Sequence, residues 1–274
     1  MKQQVLGFIG AGNMAASLIG GLVADGYPAD NIWVSDISGA ALNALHERYG
    51  VHVTEHNSIV AEHAQILVLA VKPQILRQVS VEVASIVQLR KPLVISIAAG
   101  IRSDDIDRWL GENMPIVRCM PNTPAMVRSG ATGLFANNSV SASQRSQAEA
   151  VLRAAGLTVW VEQESLLDAV TALSGSGPAY FFLLMEAMED AGVELGLERT
   201  TARLLAQQTA LGAGRMALEA DEPPSELRRK VTSPGGTTEQ AIRTFEEGDL
   251  RSLVTKAMAA AANRAAELSV QLGD

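Results

Sequence analysis

"VLGFIGAGNMAASLIGG", residues 5–21, is the stretch whose reading decides the fold. It opens as a short apolar strand, turns at Gly10-Ala11-Gly12, and continues with a helical pattern. Gly10, Gly12 and Ala15 fall in a G-x-G-x-x-A spacing across that turn. Gly10 permits the tight bend, Gly12 lets the backbone approach a pyrophosphate, and Ala15 lets the helix pack close to the strand. The helix start then offers free N–H groups and the positive end of its dipole to an anion. The spacing alone is a weak signal. Here a strand precedes it and a helix follows it. An acid, Asp36, ends the next predicted strand, 24 residues beyond Gly12.

The same alternation continues outward. "VLGFIG" (5–10), "IWVSD" (32–36), "ILVLAVK" (66–72), "LVISIAA" (93–99), "IVRCMP" (116–121) and "LTVWVE" (157–162) read as strands. They are rich in Val and Ile and nearly continuous in apolarity, as strands covered on both faces are. Helical patterns follow Gly12 and occupy 38–49, 74–89, 103–110 and 141–155, the last two with Ser103 and Ser141 as expected N-caps. The prediction is an α/β fold with a doubly wound, Rossmann-type parallel sheet. After residue 163 the strand signals stop. Residues 164–220 are helical in pattern, and 250–271 form a final Ala-rich helix. We therefore expect a nucleotide-binding domain over 1–163 and an all-helical domain over 164–274.

Composition bounds the function. Of 274 residues, 47% are hydrophobic, enough for a sizeable core and against global disorder. The net charge of −8 argues against a general nucleic-acid or anionic-membrane surface. Cys119 is the single cysteine, so no intrachain disulfide is possible and a reducing compartment fits. In "PIVRCMP" it reads as a small buried thiol. The first residues imitate a secretory signal, but Gly10, Gly12 and Asn13 break the apolar run. The uncharged stretch 169–185 is interrupted by "SGSGP" and is shorter than a span of ~20 apolar residues. A cytoplasmic, soluble protein without a metal site is expected. The apolar helices at 202–218 and 250–268 offer more apolar face than one small helical half buries, so an interface between copies is expected.

Open α/β sheets bind ligands outside the carboxyl ends of their strands. Candidates on the nucleotide side are therefore Gly10, Gly12, Asn13 and Met14 at the first turn, and Ser35 and Asp36 after the second strand. Ala70, Val71, Lys72 and Pro73 end the third, Ala98 and Ala99 the fourth, and Asn122 the fifth. Asp36 is placed to accept from a ribose 2′-OH and to repel a 2′-phosphate, which leans towards NADH; Ser35 and Ser38 leave NADPH open. Lys72, between an apolar strand and Pro73, is a candidate for lining and positioning in the cleft.

Two further turns stand in the helical half. "TALSGSGPAYFF" (171–182) gathers Thr171, Ser174 and Ser176 ahead of Pro178, which suits a first helical turn. "VTSPGGTTEQAI" (231–242) puts Pro234-Gly235-Gly236 before Thr237 and Thr238, either of which can cap the following helix. "FIGAGNMA", "VKPQ", "RCMPNTPA", "SGSGPAYFF" and "VTSPGGTTEQAI", in this order and spacing, resemble the pyrroline-5-carboxylate reductases over essentially the whole chain. The last two motifs are the specific ones. The resemblance implies reduction of 1-pyrroline-5-carboxylate to L-proline with NADPH or NADH, the last step of proline biosynthesis. It implies a helical domain that dimerises, with assembly up to a decamer, and an active site formed at the Rossmann cleft and the dimer interface. It places Asn57 at the adenine ribose, and Thr171 and Ser174 near the ring nitrogen. It makes Ser233, Gly236, Thr237 and Thr238 the substrate-carboxylate loop. Many members prefer NADPH, against which Asp36 stands.

The residues make chemical sense of this. All four histidines, His46, His52, His56 and His63, precede the third predicted strand, so no histidine acid comes from the helical half. A hydroxyl such as Thr171, a water it orders, or a substrate already protonated remains for the imine nitrogen. Backbone N–H groups and a threonine can hold a carboxylate without placing a bulky cation beside an iminium. A dehydrogenase of β-hydroxy acids is the rival enzyme; it would want an interior lysine, and the helical half has only Lys230 and Lys256. A non-catalytic nucleotide sensor is the rival of another class.

Overall fold

The computed structural model describes residues 4–273. The chain runs β1 (Leu6–Ile9), α1 (Asn13–Ala24), β2 (Ile32–Ser35), α2 (Gly39–Tyr49), β3 (His52–Thr54), α3 (Asn57–His63), β4 (Ile66–Leu69) and α4 (Pro73–Arg90). It continues with β5 (Leu93–Ser96), α5 (Ser103–Trp109), β6 (Ile116–Met120), β7 (Gly130–Ala136), α6 (Ala142–Arg153), β8 (Gly156–Trp160) and α7 (Leu166–Val170). A π-helical turn, Thr171–Gly175, follows. Then come α8 (Gly177–Glu194), α9 (Arg199–Glu219), α10 (Pro224–Lys230), α11 (Thr237–Glu247) and α12 (Leu250–Gly273). Two compact units result: residues up to Ser176 with those from Ala261 on, and Gly177–Ala260.

In the first unit the strand order is β3-β2-β1-β4-β5-β6-β7-β8. Every pair is parallel except β6–β7, which is antiparallel. Alternate side chains go to opposite faces of the sheet. Leu6 and Phe8 of β1, with Ile66 and Val68 of β4, pack into the core beneath α1 and α6. Ile9, Leu67 and Leu69 pack into the core beneath α4. Full burial of each such side chain contributes about 1.5–3 kcal/mol, which explains the continuous apolarity of these strands.

The six predicted strands are present. Two more were not foreseen. The strand β3 has three residues and begins with the exposed His52, too short for a pattern. In β7, "GATGLFA", the glycines mimic turn punctuation, yet Gly133 allows close approach: a Cβ there would lie 2.6 Å from Val170 Cγ1. Ser141 caps α6 in a full capping box with Gln144. Ser103 corrects its expectation: Arg102 is the N-cap of α5, and Ser103 lies inside the helix with its N–H and hydroxyl turned to Glu164.

The second unit has little core of its own. In α8 only Gly177 is buried, and in α9 only Ala202 and Ala206. Phe181, Phe182, Leu183, Leu204, Leu205 and Leu211 are each more than half exposed. The two helices are tied by Glu189, whose carboxylate accepts from Arg203 Nε at 2.9 Å and Arg199 Nη1 at 2.9 Å. Among the described residues no helix is long and apolar enough to cross a membrane.

Candidate active site

Strand order reverses on either side of β1, which places a crevice at the carboxyl ends of β1 and β4. Gly10 sits there at φ +108°, and a Cβ on it would meet Ala70 O at 2.5 Å. Only glycine fits. Gly12 is different. It is the N-cap of α1 at φ −69°, with nothing of the chain within 4 Å of where its Cβ would be. Its backbone does not require glycine; as the N-cap it leaves the helix start uncovered by any side chain. With no acid in the first turn of α1, the crevice fits a dinucleotide pyrophosphate. Asn13 is exposed and Met14 half-buried at that helix start.

Asp36 does more than the sequence reading assigned to it. Ala11 N–H donates to its Oδ2 at 2.7 Å, and Ser38 N–H to its Oδ1 at 2.8 Å. The carboxylate therefore clamps the Gly-rich turn from the end of β2. Beside it, Ile37 is 95% exposed, an apolar platform that sequence reasoning missed because a lone Ile between Asp and Ser carries no pattern. Ser35 is fully buried, so direct contact with a 2′-phosphate is closed to it. Its hydroxyl donates to Asn57 Oδ1 at 2.8 Å, and Asn57 Nδ2 donates to Glu82 Oε2 at 3.0 Å. Asn57 is thus held at the start of α3, facing the β2 end. Lys72 is exposed and forms the N-cap of α4 ahead of Pro73; Ala70 and Val71 are half-buried. Ala98 is buried and Ala99 exposed, just after β5.

Asn122 follows β6 and is 9% exposed. Its Oδ1 accepts from Ala131 N–H at 2.8 Å, and its Nδ2 donates to Ser174 O at 3.0 Å. It is placed as a tie between β7 and the π-turn, not as the free contact foreseen. The π-turn carries Thr171 and Ser174, both half-buried. Their hydroxyls donate to Leu167 O at 2.7 Å and Val170 O at 3.0 Å. Single π-turns concentrate at functional sites. With its proton turned to Leu167, the Thr171 oxygen presents lone pairs, so it suits an N–H⁺ donor better than it suits proton donation.

Cys119 is 3% exposed, and burial pushes its thiol far above the usual range, so it stays a neutral, unreactive thiol. Asp168 on α7 is also raised, first by burial; Arg118 and Arg102 oppose the shift and Glu164 adds to it.

Two family models match the chain. One is described as an NADP oxidoreductase, coenzyme F420-dependent, over residues 5–100; the other as pyrroline-5-carboxylate reductase dimerisation, over 164–268. A pyrroline-5-carboxylate reductase of Pseudomonas aeruginosa is 52% identical over 273 residues, 100% of each chain. A solved pyrroline-5-carboxylate reductase from Coxiella burnetii gives a TM-score of 0.94 at 50% identity, covering 97% of this chain and 98% of that one. One from Plasmodium falciparum, solved with NADP bound, gives 0.85 at 28% identity over 98% of this chain and 99% of that chain. The chain belongs to the pyrroline-5-carboxylate reductase family.

For a pyrroline-5-carboxylate reductase, the bare apolar helices of the second unit find their reason in assembly: the protein is a homo-oligomer. That unit also carries the "SPGG" bend. Gly235 makes it at φ +71°, and its N–H donates to Glu239 Oε2 at 2.7 Å. Gly236 N–H donates to Ser233 O at 3.0 Å, so it is engaged within the bend and is not the open donor expected. Gly236, not a threonine, is the N-cap of α11, and no side chain caps it; the N3 carboxylate of Glu239 reaches back instead. Proline two residues before the cap holds the chain in a bend that Glu239 already closes. Among the described residues, nothing meets the N–H groups of Thr237 and Thr238 at the helix start. Ser233 and Thr237 are exposed, and Thr238 is half-buried.

Proposed function

We propose that three short segments of this chain divide the work of its reaction. The reaction is the NAD(P)H-dependent reduction of 1-pyrroline-5-carboxylate to L-proline, the last step of proline biosynthesis and the activity of the chain's family. The turn from Gly10 to Met14, with Ala70–Pro73, Ala98 and Ala99, holds the dinucleotide. Asp36 and Ile37 flank its adenosine end, with Asn57 at the ribose. Bound NAD(P)H supplies the hydride. Thr171 and Ser174 face the imine: the Thr171 oxygen accepts from the protonated ring nitrogen and fixes the face presented to the hydride. Holding donor and acceptor in a near-attack pose can lower the barrier of such a reaction by roughly 7–11 kcal/mol. The open N–H groups of Thr237 and Thr238, with Ser233 beside them, take the substrate carboxylate at a helix start.

The observation that carries this reading is the start of α1 after the β1 turn, where Gly12 caps the helix with no side chain over its N–H groups and no acid stands in the first turn. We assign the nucleotide to 1–163 and the substrate and dimer contacts to 164–274, with a dimer as the smallest active assembly and a decamer as the larger one. A lone buried thiol suits the cytoplasm, where we place the enzyme. The relative from Plasmodium falciparum binds NADP. Asp36 supports NADH in this chain, since a carboxylate at the end of β2 repels a 2′-phosphate. Absorbance at 340 nm with pyrroline-5-carboxylate, followed with NADH and NADPH in parallel, tests both points. Turnover with a lower KM for NADH is expected, and Asp36→Ser moves the preference to NADPH. No turnover with either cofactor removes the reading, and a lower KM for NADPH removes the role of Asp36 alone.

A further inference from the structure

We propose that Glu164 is a positioning residue for this reaction, held by Arg118 and Ser103 so that the α7–π-turn segment presents Thr171 and Ser174 in one register. The proposal rests on the reading of those two hydroxyls given above.

The helix α7 has five residues and runs directly into the π-turn, and the run is seated on the sheet by contacts with β6 and β7, where Gly133 lies against Val170. Those on the β6 side fall at alternate positions of β6 and the extended residues that follow it. Arg118 of β6 binds Glu164 just ahead of α7, with Nη1 2.9 Å from Oε1. Met120 lies over the end of the π-turn, where a Cβ on Gly175 would come 2.7 Å from its Cε. Asn122 holds the Ser174 carbonyl at 3.0 Å. Residues 118, 120 and 122 thus act as a ruler along which the segment is laid.

Glu164 is its fixed end. Its carboxylate accepts from Ser103 N–H at 2.6 Å and Ser103 Oγ at 2.9 Å besides Arg118. Three charge-assisted bonds from two elements leave it little freedom. Thr171 is linked to this end through Leu167, whose carbonyl takes its hydroxyl. Arg118 is an odd choice for stability. It is 6% exposed in the strand "IVRCM", and a buried ion pair is commonly no better for stability than apolar side chains of equal size. What it supplies is register. Asp168, one helical turn beyond Glu164, lies in the field of Arg118 and Arg102, so loss of the Glu164 charge leaves Arg118 without its bonded partner and loosens α7.

Glu164→Gln keeps size and an acceptor for Ser103 but removes the charge. Three measurements are made on the full-length oligomer: amide hydrogen exchange, steady-state kinetics, and NAD(P)H titration by fluorescence. Exchange over 166–176 is expected to quicken at least about tenfold, with the first turn of α1 unchanged. Turnover falls about tenfold, while cofactor affinity stays within about twofold. Ser103→Ala, which leaves the ion pair, moves both readouts the same way by less. In Glu164→Gln/Thr171→Val, turnover falls no further than in Thr171→Val alone. Unchanged exchange, unchanged turnover, or an equal loss of cofactor affinity each overturns the proposal, and so do additive losses in the double variant when Thr171→Val is itself slow. Wild-type turnover in Thr171→Val, with Glu164→Gln still slow and its segment still loosened, overturns the reading of Thr171 and leaves the hold standing through Ser174.

Discussion

Gly10 and Gly12 are two residues apart and answer to different masters. At Gly10 an alanine would be strained at φ +108° and would strike the Ala70 carbonyl. The expected cost is several kcal/mol, from about 1–3 for the backbone conformation plus the clash. At Gly12 an alanine meets no atom of the chain. Loss of a good N-cap residue costs about 1 kcal/mol, and the reduced freedom of the unfolded chain returns about 0.4–1. Gly12→Ala should therefore melt within a few degrees of wild type yet bind NAD(P)H at least about tenfold more weakly, since about 1.4 kcal/mol of lost contact suffices for that. Calorimetry and fluorescence titration check the pair; a large drop in melting temperature without a change in affinity would return Gly12 to the fold. On the role proposed for Thr171, removal of its hydroxyl forfeits a bond to a cation, about 1.5–3 kcal/mol, so Thr171→Val should turn over about 10- to 100-fold more slowly with cofactor affinity intact. Saturating pyrroline-5-carboxylate that restores the wild-type rate would refute this.

Elements show where local signals suffice and where they fail. The capping box of α6 is legible because its partners, Ser141 and Gln144, are three residues apart. The start of α11 has a legible Glu at N3, but that Glu serves the Gly235 N–H and leaves both threonines free of capping duty. The strand β7 was hidden because its glycines serve close packing. Ser103 was misread because its acceptor, Glu164, is 61 residues away. The pair α8–α9 yields a pH prediction. Hydrogen bonds from Arg203, then from Arg199, hold the Glu189 carboxyl down to about 2. A depressed acid contributes stability fully above its ordinary value of 4.5 and loses it as pH falls towards about 2. The melting temperature of Glu189→Gln should lie below wild type at pH 6 and converge with it as pH falls from 4.5 towards 2. A gap that stays constant over that range would separate Glu189 from the acid response.

At the scale of the whole molecule, the two units are stabilised differently. The first has a two-sided sheet with cores on both faces. The second exposes Phe181, Phe182, Leu204 and Leu205 within the span that matches the dimerisation family, and we propose that assembly covers them. Phe182→Glu should shift the species seen by light scattering towards monomer and lower turnover with it; an oligomer of unchanged mass would take Phe182 out of the interface. The sequence by itself determined the strand–turn–helix of residues 5–21, the alternation that repeats it, and the helical second half. Those follow from strand and helix periods and from glycine geometry, all set within a few residues. Tertiary structure alone decided the grip of Asp36 on Ala11 across 25 residues, the hold of Arg118 on Glu164 across 46, and the antiparallel place of β7. Such contacts depend on which strand ends the fold brings together, and no period in the chain encodes that.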